Sequence, residues 1–528
     1  MKSARLRCVG ALAVLSLMMA LTASTAAQSR NTKHHHYKFF DLGTFGGPAG
    51  FSSGDQTGDG VASSVILNRG GSVVGQADTS VPNPNYPNVC ALCPSDPLIL
   101  HAFRWHDGRL TNLGALPGPN SSFATWISED GLIAGYSENG VIDPLLGIPE
   151  AEAVLWKDDR IIGLGTIEGS NQSAAFAVNG RGQVVGGALL TLPDPFSPFG
   201  FELRAFQWQD GVMENLGTLG GPESVAYFVN KSDQIVGTSY TDSVANPGTG
   251  LPTQDPFLWE NGTMLDLGGL GGTFGTPNYF DDQGRIVGGS NLVGDLTEHA
   301  FLWTKSEGMQ DLGTLGGNFS QANWMNRAGE IVGISNKQDN QAVFAVLWSG
   351  GTLISLGTVP GDACSDAYSI NSKTQVVGVL AETCSFSDTD RGAFLWEEGH
   401  MIDLNTFLPK GAYLQQLTDA DNINDRGEIV GLGVPAGCGN VVACGHAFLL
   451  IPCDDHPPNI EGCDYSMVEA SAAVTQTSPV VRNASSGTLP KSRMRMTAGE
   501  LATFNERNAA MHAWVRDRTL GFGLWPSR

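Results

Sequence analysis

The sequence has few charged residues and is especially poor in cations. Asp, Glu, Lys and Arg make up 16% of its 528 residues, against about a quarter in typical soluble domains, and 30 Lys and Arg stand against 53 Asp and Glu. The formal net charge of −23 repels phosphate backbones, so no nucleic-acid partner is expected. His-Glu-x-x-His and phosphate-loop motifs are absent from the sequence.

Glycine, by contrast, is abundant. The chain contains 68 Gly in 528 residues, about twice the usual share, which favours many tight turns over long helices. At 41% hydrophobic residues the chain can still build a large core. The composition therefore predicts an all-β fold.

No hydrophobic run is long enough to span a bilayer. Lys2, Arg5 and Arg7 precede an apolar run at residues 9–21, and small residues lead to Ala27. This order is typical of a secretory signal peptide, predicted at residues 1–27, with no transmembrane segment after its cleavage. We expect a secreted protein, extracellular or periplasmic.

Eight cysteines follow the predicted signal, an even number that suits disulfide formation in an exported protein. They fall in four close pairs: Cys90 and Cys93, Cys364 and Cys384, Cys438 and Cys444, Cys453 and Cys463. Each pair is predicted to be a local disulfide. Zinc at Cys90-x-x-Cys93 is the alternative, although no second ligand pair lies nearby.

One unit of about fifty residues recurs along the chain. His101-Ala-Phe-Arg-Trp105 returns six times with Trp in its fifth position, and His446-Ala-Phe-Leu-Leu450 is an eighth copy without it. An Asn/Asp-Leu-Gly element follows most copies, and a Val/Ile-Val-Gly element occurs eight times. The seven tryptophans are predicted to pack between units: Trp105, Trp156, Trp208, Trp259, Trp303, Trp348 and Trp396.

Each unit predicts four short strands, with an Asn-x-x-Gly hairpin between the third and the fourth. The N-terminal copy, from Phe39, has only the second to fourth strands, whereas the C-terminal copy at residues 446–450 supplies only the first. A unit split between the chain ends suits a closed ring. We predict an eight-bladed β-propeller of four-stranded antiparallel blades over residues 39–451, closed by the C-terminal strand, with a β-solenoid as the alternative.

The three repeated elements together resemble the extracellular HAF repeat family of bacterial secreted proteins. The resemblance covers residues 39–451 and includes Asp311-Leu-Gly-Thr-Leu-Gly-Gly317. It implies an exported repeat protein and no established activity or catalytic residues. His101, His299 and His446 begin the same strand in three copies, where a repeated turn hydrogen bond is expected.

Two sets of loops should emerge on one face of the predicted ring: the connections from the second strand to the third and from the fourth to the first. These loops are the long ones, so this face is expected to bind the ligand. Acidic residues that depart from the repeat there, Glu168, Glu223 and Asp362, are the candidate catalytic residues. Asp55 and Asp59, in a Gly-rich insertion, can bind calcium or belong to a solvated loop; no other cofactor is predicted.

The chain changes character after Cys463. Residues 452–496 are expected to form a disulfide loop and a flexible linker rich in Ser, Thr and Pro. A capping box at residues 497–500 predicts a helix over 497–518, followed by a tail at 519–528. This basic segment can contact the acidic ring or an anionic envelope surface, or be solvated.

Repetition without a recognised catalytic motif favours a secreted non-enzymatic protein that binds a protein or glycan through the long-loop face. The first alternative is an extracellular polysaccharide hydrolase or lyase on a propeller scaffold, which would use Glu168, Glu223 and Asp362. The second alternative is a structural component of the cell envelope.

Overall fold

A computed structural model describes residues 36–51, 64–158, 160–197, 199–338, 340, 342–384, 391–439, 441–453 and 482–483. The predicted signal peptide, the calcium candidates Asp55 and Asp59, Cys463 and the predicted C-terminal helix lie outside these residues. Within them the fold is all-β, and its helical content is limited to single turns at Leu404–Phe407 and Val441–Cys444. No helix in the described ranges has the length and apolar character needed to cross a membrane.

The strands form antiparallel meanders of four, which we number along the chain. Strands within a meander are counted in chain order, so the His-Ala-Phe strand, which is the first of the sequence repeat, is the third strand of its meander. Meanders 1 to 3 are β2 (Gly46–Phe51), β3 (Val73–Pro82), β4 (Leu98–His106), β5 (Arg109–Asn112); β6 (Ser122–Ile127), β7 (Ile133–Ile142), β8 (Pro149–Lys157), β9 (Arg160–Gly163); and β10 (Ser170–Val178), β11 (Val184–Pro193), β12 (Phe201–Gln209), β13 (Val212–Gly217). Meanders 4 and 5 are β14 (Ser224–Val229), β15 (Ile235–Tyr240), β16 (Gln254–Glu260), β17 (Thr263–Asp266); and β18 (Gly271–Phe280), β19 (Ile286–Leu292), β20 (Glu298–Thr304), β21 (Gly308–Asp311).

Meanders 6 and 7 are β22 (Gly316–Met325), β23 (Ile331–Lys337), β24 (Val343–Ser349), β25 (Thr352–Gly357); and β26 (Cys364–Ile370), β27 (Val376–Ala381), β28 (Arg391–Glu397), β29 (His400–Asp403). Meander 8 joins the two ends of the described chain: β30 (Leu414–Ile423), β31 (Ile429–Pro435), β32 (His446–Pro452) and β1 (Tyr37–Asp41). A further two-residue strand, Arg482–Asn483, pairs with β25 within the region predicted as a flexible linker.

The first and last strands of the repeat region pair with each other, as the split repeat predicts. Strand β1 pairs antiparallel with β32, with Phe39 opposite Leu450 and Asp41 opposite Phe448. The Leu42 N–H donates to Ala447 O, and the Cys453 N–H donates to His36 O. A β-solenoid, the alternative fold, gives no reason for antiparallel hairpins or for this pairing of the ends.

In meanders 2 to 8, the glycine of the Val/Ile-Val-Gly element lies opposite a bulge in the neighbouring strand. The first strand of meanders 2 to 8 carries a one-residue register shift, as between Ala124 and Trp126 or between Ala322 and Trp324. At this level a Cβ on the facing glycine would collide with a carbonyl oxygen of the bulged strand, as at Gly135 and Gly333. Only glycine allows the two backbones to approach so closely.

A serine in the first strand connects each of five meanders to the one before it. The Ser320 hydroxyl donates to Gly313 O, in the Asp-Leu-Gly element of meander 5, and accepts a hydrogen bond from the Ala300 N–H, in the His-Ala-Phe element. The same arrangement occurs at Ser122, Ser173, Ser224 and Ser365. The repeated motifs therefore meet at the junctions between meanders.

The Asn-x-x-Gly hairpins also connect neighbours. Nδ2 of Asn179 donates to the main-chain oxygen of Asn230 in the next meander, and Asn371 donates in the same way to Asn424. Asn424 in turn donates to Asn68 O at 3.1 Å, a contact between meander 8 and meander 1. These bonds hold the Asn-x-x-Gly hairpins of neighbouring meanders side by side.

The repeated aromatic and imidazole side chains have structural partners. Trp105, Trp156, Trp303 and Trp348 are buried, the other three repeat tryptophans are half-buried, and the Trp156 and Trp348 indoles donate to main-chain oxygens of the preceding junction. The three repeat histidines hydrogen-bond through Nδ1 to the Asn or Asp of the Leu-Gly element: His101 with Asn112, His299 with Asp311, and His446 with Asp41.

The predicted disulfides are confirmed where the structure describes them. Cys90 bonds to Cys93, Cys364 to Cys384 and Cys438 to Cys444. Cys453 is also disulfide-bonded, although its predicted partner Cys463 lies outside the described residues. The disulfide at Cys90 and Cys93 replaces the zinc alternative for this pair.

Candidate functional site

The long connections emerge together on one face, as strand parity predicts. The second-to-third loop is long in several meanders, as at residues 83–97 and 241–253, but it has only five residues at 293–297 and 338–342. The connection to the next meander emerges on the same side. The turns on the opposite side are short except in meander 1, where residues 52–72 connect β2 to β3. Most exposed large apolar residues also border the long-loop face, among them Val81, Tyr86, Leu145, Leu192, Val244 and Val293. We call this surface the long-loop face.

The three predicted catalytic acids lie in equivalent connections of different meanders. Glu168 precedes β10 and is exposed, Asp362 precedes β26 and is half-buried, and Glu223 precedes β14. The charged groups that act on Glu223 are Asp194, Arg204 and Glu202, and neither Glu168 nor Asp362 is among them. The carboxyl group of Glu223 thus interacts with that of Asp194, a residue that was not predicted from the sequence.

Glu223 and Asp194 form a buried carboxyl pair at the edge of meander 3. The pKa of Glu223 is raised to about 8, first by burial and then by the negative charge of Asp194, while a hydrogen bond with Ser197 and the charge of Arg204 oppose this rise. Glu223 Oε1 and Asp194 Oδ2 are inaccessible and accept no hydrogen bond from any residue in the described ranges. At neutral pH Glu223 is therefore largely a neutral carboxylic acid that can donate a proton.

The local backbone fixes both carboxyl groups. Asp194 begins the 194–200 loop, where its N–H donates to Gly200 O and its Oδ1 accepts the Phe196 N–H at 2.9 Å. The Glu223 main-chain oxygen accepts the Tyr240 N–H at 2.9 Å, so the pairing with β15 extends one residue beyond β14. The turn at Asp194 uses only one carboxylate oxygen and leaves the second for the pair with Glu223.

Arg204 offsets the acidic charge of the pair only in part, because its guanidinium also forms an ion pair with Glu202. Its guanidinium donates to Glu202 at 2.7 Å and to the main-chain oxygens of Leu203 and Pro222. The side chains of Arg204 and Glu202 are 15% and 17% exposed, so this ion pair is largely shielded from solvent. The cluster keeps an excess of acidic groups.

An apolar cavity opens beside the carboxyl pair. It is open to solvent on one side, and its walls include Phe176, Leu189, Phe199, Leu203 and Val225. Phe199 lies in the loop that also carries Asp194 and Ser197. Val225 lies two residues after Glu223, so side-chain alternation places both on the same side of the strand.

Meander 3 differs from meander 2 at two positions that border the cavity. In meander 2 the equivalent space holds Phe123 and Tyr136, whose stacked rings are 4.9 Å apart. Meander 3 has Ala174 and Gly187 there, paired in the same register. Loss of two aromatic rings from one repeat leaves the space that Phe176 and Val225 border.

One wall of the cavity comes from a disulfide-closed loop. Ala91 and Leu92, between Cys90 and Cys93, both contribute to the lining. The Leu92 main-chain oxygen accepts the Tyr136 hydroxyl at 2.8 Å, and Glu138 Oε2 accepts the Ser121 N–H nearby. The 83–97 loop of meander 1 therefore reaches across meander 2 to the cavity of meander 3.

A second pair of buried acids lies in meander 1. The pKa of Asp78 is raised to about 7, first by burial and then by the charge of Asp96. Asp78 and Asp96 are only 1% and 6% exposed, and Asp78 Oδ2 accepts the Ala49 N–H at 3.0 Å. This pair lies inside the packing of meander 1. Across the residues that the structure describes, no group of three or more His, Cys, Asp or Glu is arranged to hold a metal ion.

The segment 50–54 has Gly-x-Ser-x-Gly spacing, which was not among the predicted sites. That motif works as a nucleophile where a strand turns into a helix in an α/β sheet. Here Gly50 and Phe51 end β2, which pairs antiparallel with β3, and Ser52 lies outside the described residues. The segment is therefore not part of the candidate site.

Asp194 and the cavity were missed because they depend on contacts between distant segments. Asp194 is 29 residues before Glu223, in a loop whose equivalents in meanders 1 and 2 begin with Asn83 and Asp143 and look like ordinary turns. The sequence contained one indication of the cavity: Ala174 and Gly187 are small residues at positions where the preceding repeat has aromatic residues.

No family model and no curated protein matches the chain. Among solved structures, it is similar to the acylaminoacyl peptidase of Pyrococcus horikoshii, at 13% identity over 64% of this chain and 53% of that one, with a TM-score of 0.35. The chain thus spans about half the length of that peptidase. It is also similar to the β-propeller domain of the Trilobed protease from Pyrococcus furiosus, at 11% identity over 70% of this chain and 98% of that one, with a TM-score of 0.36.

A third similar structure is an oligogalacturonate lyase in complex with manganese, at 10% identity over 79% of this chain and 96% of that one, with a TM-score of 0.37. The all-β fold predicted from the sequence is confirmed, and the similar structures include a β-propeller domain. The prediction of a non-enzymatic binding protein is contradicted by this set of peptidases and a lyase, and we withdraw it. Which activity the chain has must be argued from its own residues.

Proposed function

We propose that the protein is a secreted hydrolase of extracellular polysaccharide, with its active site at Glu223 and Asp194 on the long-loop face. The observation that carries this proposal is the buried carboxyl pair, in which one acid is neutral at pH 7 and both carboxyl groups have an oxygen without a hydrogen bond from the described residues. Two carboxyl groups with different protonation states are the chemical requirement for glycoside hydrolysis.

The two acids have different roles in this proposal. The Glu223 carboxylic acid gives its proton to the glycosidic oxygen as the bond to the anomeric carbon breaks. The Asp194 carboxylate stabilises the positive charge that develops on the sugar ring and accepts the proton of the water that adds to the anomeric carbon. Proton transfer back to Glu223 completes the cycle.

The charge of the site favours hydrolysis of a neutral glycan over lyase chemistry. A polysaccharide lyase acts on an anionic uronate, whose carboxylate the site would have to bind. Asp194, Glu202 and Glu223 surround the site, and its cation Arg204 is paired with Glu202. With a formal net charge of −23 as well, the protein repels a polyanionic chain.

We further propose that the meanders form a closed eight-bladed β-propeller of the HAF repeat type, exported by the signal at residues 1–27. Support comes from the β1–β32 pairing, the Asn424-to-Asn68 hydrogen bond and the disulfides, which suit an oxidising compartment. In such a ring the first strand of each meander lines the centre, and the long-loop face is one rim of the wheel.

The proposed activity is tested by screening neutral polysaccharides for release of reducing ends. Glu223→Gln and Asp194→Asn should each lower turnover by about 100-fold or more, the usual contribution of a positioned acid or base. Glu168→Gln and Asp362→Asn, in the equivalent connections of other meanders, are the controls and should keep wild-type rates. Wild-type turnover should fall above pH 8 as Glu223 loses its proton.

Two results would overturn the proposal. One is turnover that survives Glu223→Gln in a protein whose circular dichroism spectrum and unfolding midpoint are unchanged. The other is activity that disappears in the Glu168→Gln or Asp362→Asn controls while Glu223→Gln leaves it intact.

Ring closure is tested with a pair of cysteines. Lys38 and Ile451 are opposite one another in the β1–β32 pairing, a separation compatible with a disulfide. Lys38→Cys combined with Ile451→Cys should give a disulfide-linked peptide in mass spectra of the non-reduced folded protein. Lys38→Cys with Thr304→Cys, at the equivalent strand position of meander 5, should not. Linkage only in the second pair would refute closure.

A further inference from the structure

We infer that the cavity beside Glu223 is a subsite for an aromatic ring carried by the substrate, so that the enzyme acts on aryl-substituted glycosides. This inference deepens the proposed function and rests on it for the position of the cleaved bond. The kind of group that the cavity binds is inferred independently, from the residues that line the cavity.

The walls offer apolar contacts and almost no free hydrogen-bonding capacity. Phe176, Phe199, Leu189, Leu203 and Val225 supply the side chains, and Leu189, Leu203 and Val225 form a small buried cluster of their own. A bare sugar, which carries hydroxyl groups on every side, would lose hydrogen bonds to water in such a cavity. A flat apolar ring can contact the two phenylalanine rings.

The polar residues at the cavity already have partners. The Gln172 amide donates to Asp143 Oδ2 at 2.9 Å, and its carbonyl oxygen accepts the Ala151 N–H. The Ser173 hydroxyl donates to Gly165 O and accepts the Ala153 N–H. Neither side chain is left to recognise a sugar hydroxyl.

The space at Gly187 is open, in contrast to the equivalent glycine of meander 5. A Cβ at Gly187 would meet only Phe176 Cε2 and Val225 Cγ1, each at 3.6 Å, which is ordinary contact. A Cβ at Gly289 would collide with Glu298 Oε1, so a carboxylate occupies that space. Of these two equivalent glycines, only Gly187 leaves room for a ligand.

The cavity and the carboxyl pair share one loop and one strand. Residues 194–200 provide Asp194 and Ser197 to the acids and Phe199 to the cavity, and the chain from Glu223 to Val225 does the same from the other side. Tyr227, whose ring centroid lies 6.2 Å from that of Phe176, also experiences the charge of Glu223. A ring in the cavity would therefore hold the adjoining glycosidic bond near Glu223.

The inference is tested first by binding alone. In the Glu223→Gln background, benzyl alcohol should bind, as detected by saturation-transfer NMR, whereas glycerol should not. Gly187→Ala adds one methyl group to the cavity and should weaken the binding of benzyl alcohol several-fold, and Gly187→Leu should abolish it. Gly248→Ala, on the same face at a glycine with no atom within 4 Å of the added Cβ, is the control and should bind like its parent.

Turnover provides the second arm. For an otherwise active protein, 4-nitrophenyl glycosides should be cleaved with a lower KM than the matching methyl glycosides, and Gly187→Ala should raise the KM of the aryl substrates only. Benzyl alcohol binding that is insensitive to Gly187→Ala, or equal KM values for aryl and methyl glycosides, would overturn the subsite while leaving the proposed acid pair intact. Cavity binding without any Glu223-dependent turnover would instead refute the proposed function and keep the subsite.

Discussion

At the scale of single residues, the account depends on a carboxylic acid that the fold keeps neutral. Glu223 is half-buried as a residue, yet its Oε1 is inaccessible, and the negative charges of Asp194 and Glu202 oppose its ionisation. A buried acid of this kind lowers the free energy of unfolding at any pH where it must ionise, and such perturbed groups are typical of functional sites. Glu223 should therefore affect the pH dependence of stability as well as of catalysis.

The stability of the wild type should fall with rising pH because of Glu223. Its pKa is about 8 in the folded protein and about 4.5 when exposed, so between these values the folded state retains a proton that the unfolded state has released. Raising the pH through this window favours unfolding, by up to roughly 5 kcal/mol from this group. Glu223→Gln has no such titration and should be more stable than the wild type at pH 9, but similar at pH 4.

Urea unfolding at pH 4, 7 and 9 measures this difference, with Glu168→Gln as an exposed control. A constant difference in the free energy of unfolding between Glu223→Gln and the wild type across this range would show that Glu223 is ionised as an ordinary surface acid.

At the scale of strands and turns, the repeat motifs turn out to be the contacts between meanders. The Asn-x-x-Gly hairpins and the four-strand unit could be predicted from the sequence, because turn chemistry and alternation are local properties. The bulge opposite the Val/Ile-Val-Gly glycine could not, because a one-residue offset in one strand is visible only when its partner is known. The site was harder still, because Asp194 reaches Glu223 through the packing of β12 and β14.

Two adjacent glycines of β11 should respond in opposite ways to the same substitution. A Cβ at Gly186 would collide with Ala174 O and crowd Phe206, whereas a Cβ at Gly187 enters the open cavity. We expect Gly186→Ala to lower the free energy of unfolding by about 2 to 3 kcal/mol. Gly187→Ala should leave it unchanged or raise it by up to about 1 kcal/mol, because the unfolded chain loses freedom.

Thermal and urea denaturation of the two variants provide the comparison, and each serves as the control of the other. Equal destabilisation by both substitutions would mean that the cavity at Gly187 is filled by the protein itself.

At the scale of the whole molecule, β1 pairs with β32 and so joins the two ends of the repeat region. The proposed ring would place the long loops of different meanders on one side. Loop 83–97 of meander 1 can form a wall of the cavity in meander 3 because the intervening meander 2 anchors it through Tyr136. Repetition supplies the scaffold, and the departures from repetition at Ala174, Gly187 and Glu223 supply the site. The proposed preference for uncharged glycans follows from this excess of acidic residues.

The most direct measurement is a crystal structure of the Glu223→Gln variant with the oligosaccharide that the wild type cleaves fastest. The account predicts a glycosidic oxygen within about 3 Å of the side chain at position 223, the Asp194 carboxylate on the other side of the anomeric carbon, and the aryl substituent between Phe176 and Phe199. An oligosaccharide bound elsewhere on the ring, with the carboxyl pair and its cavity unoccupied, would contradict it.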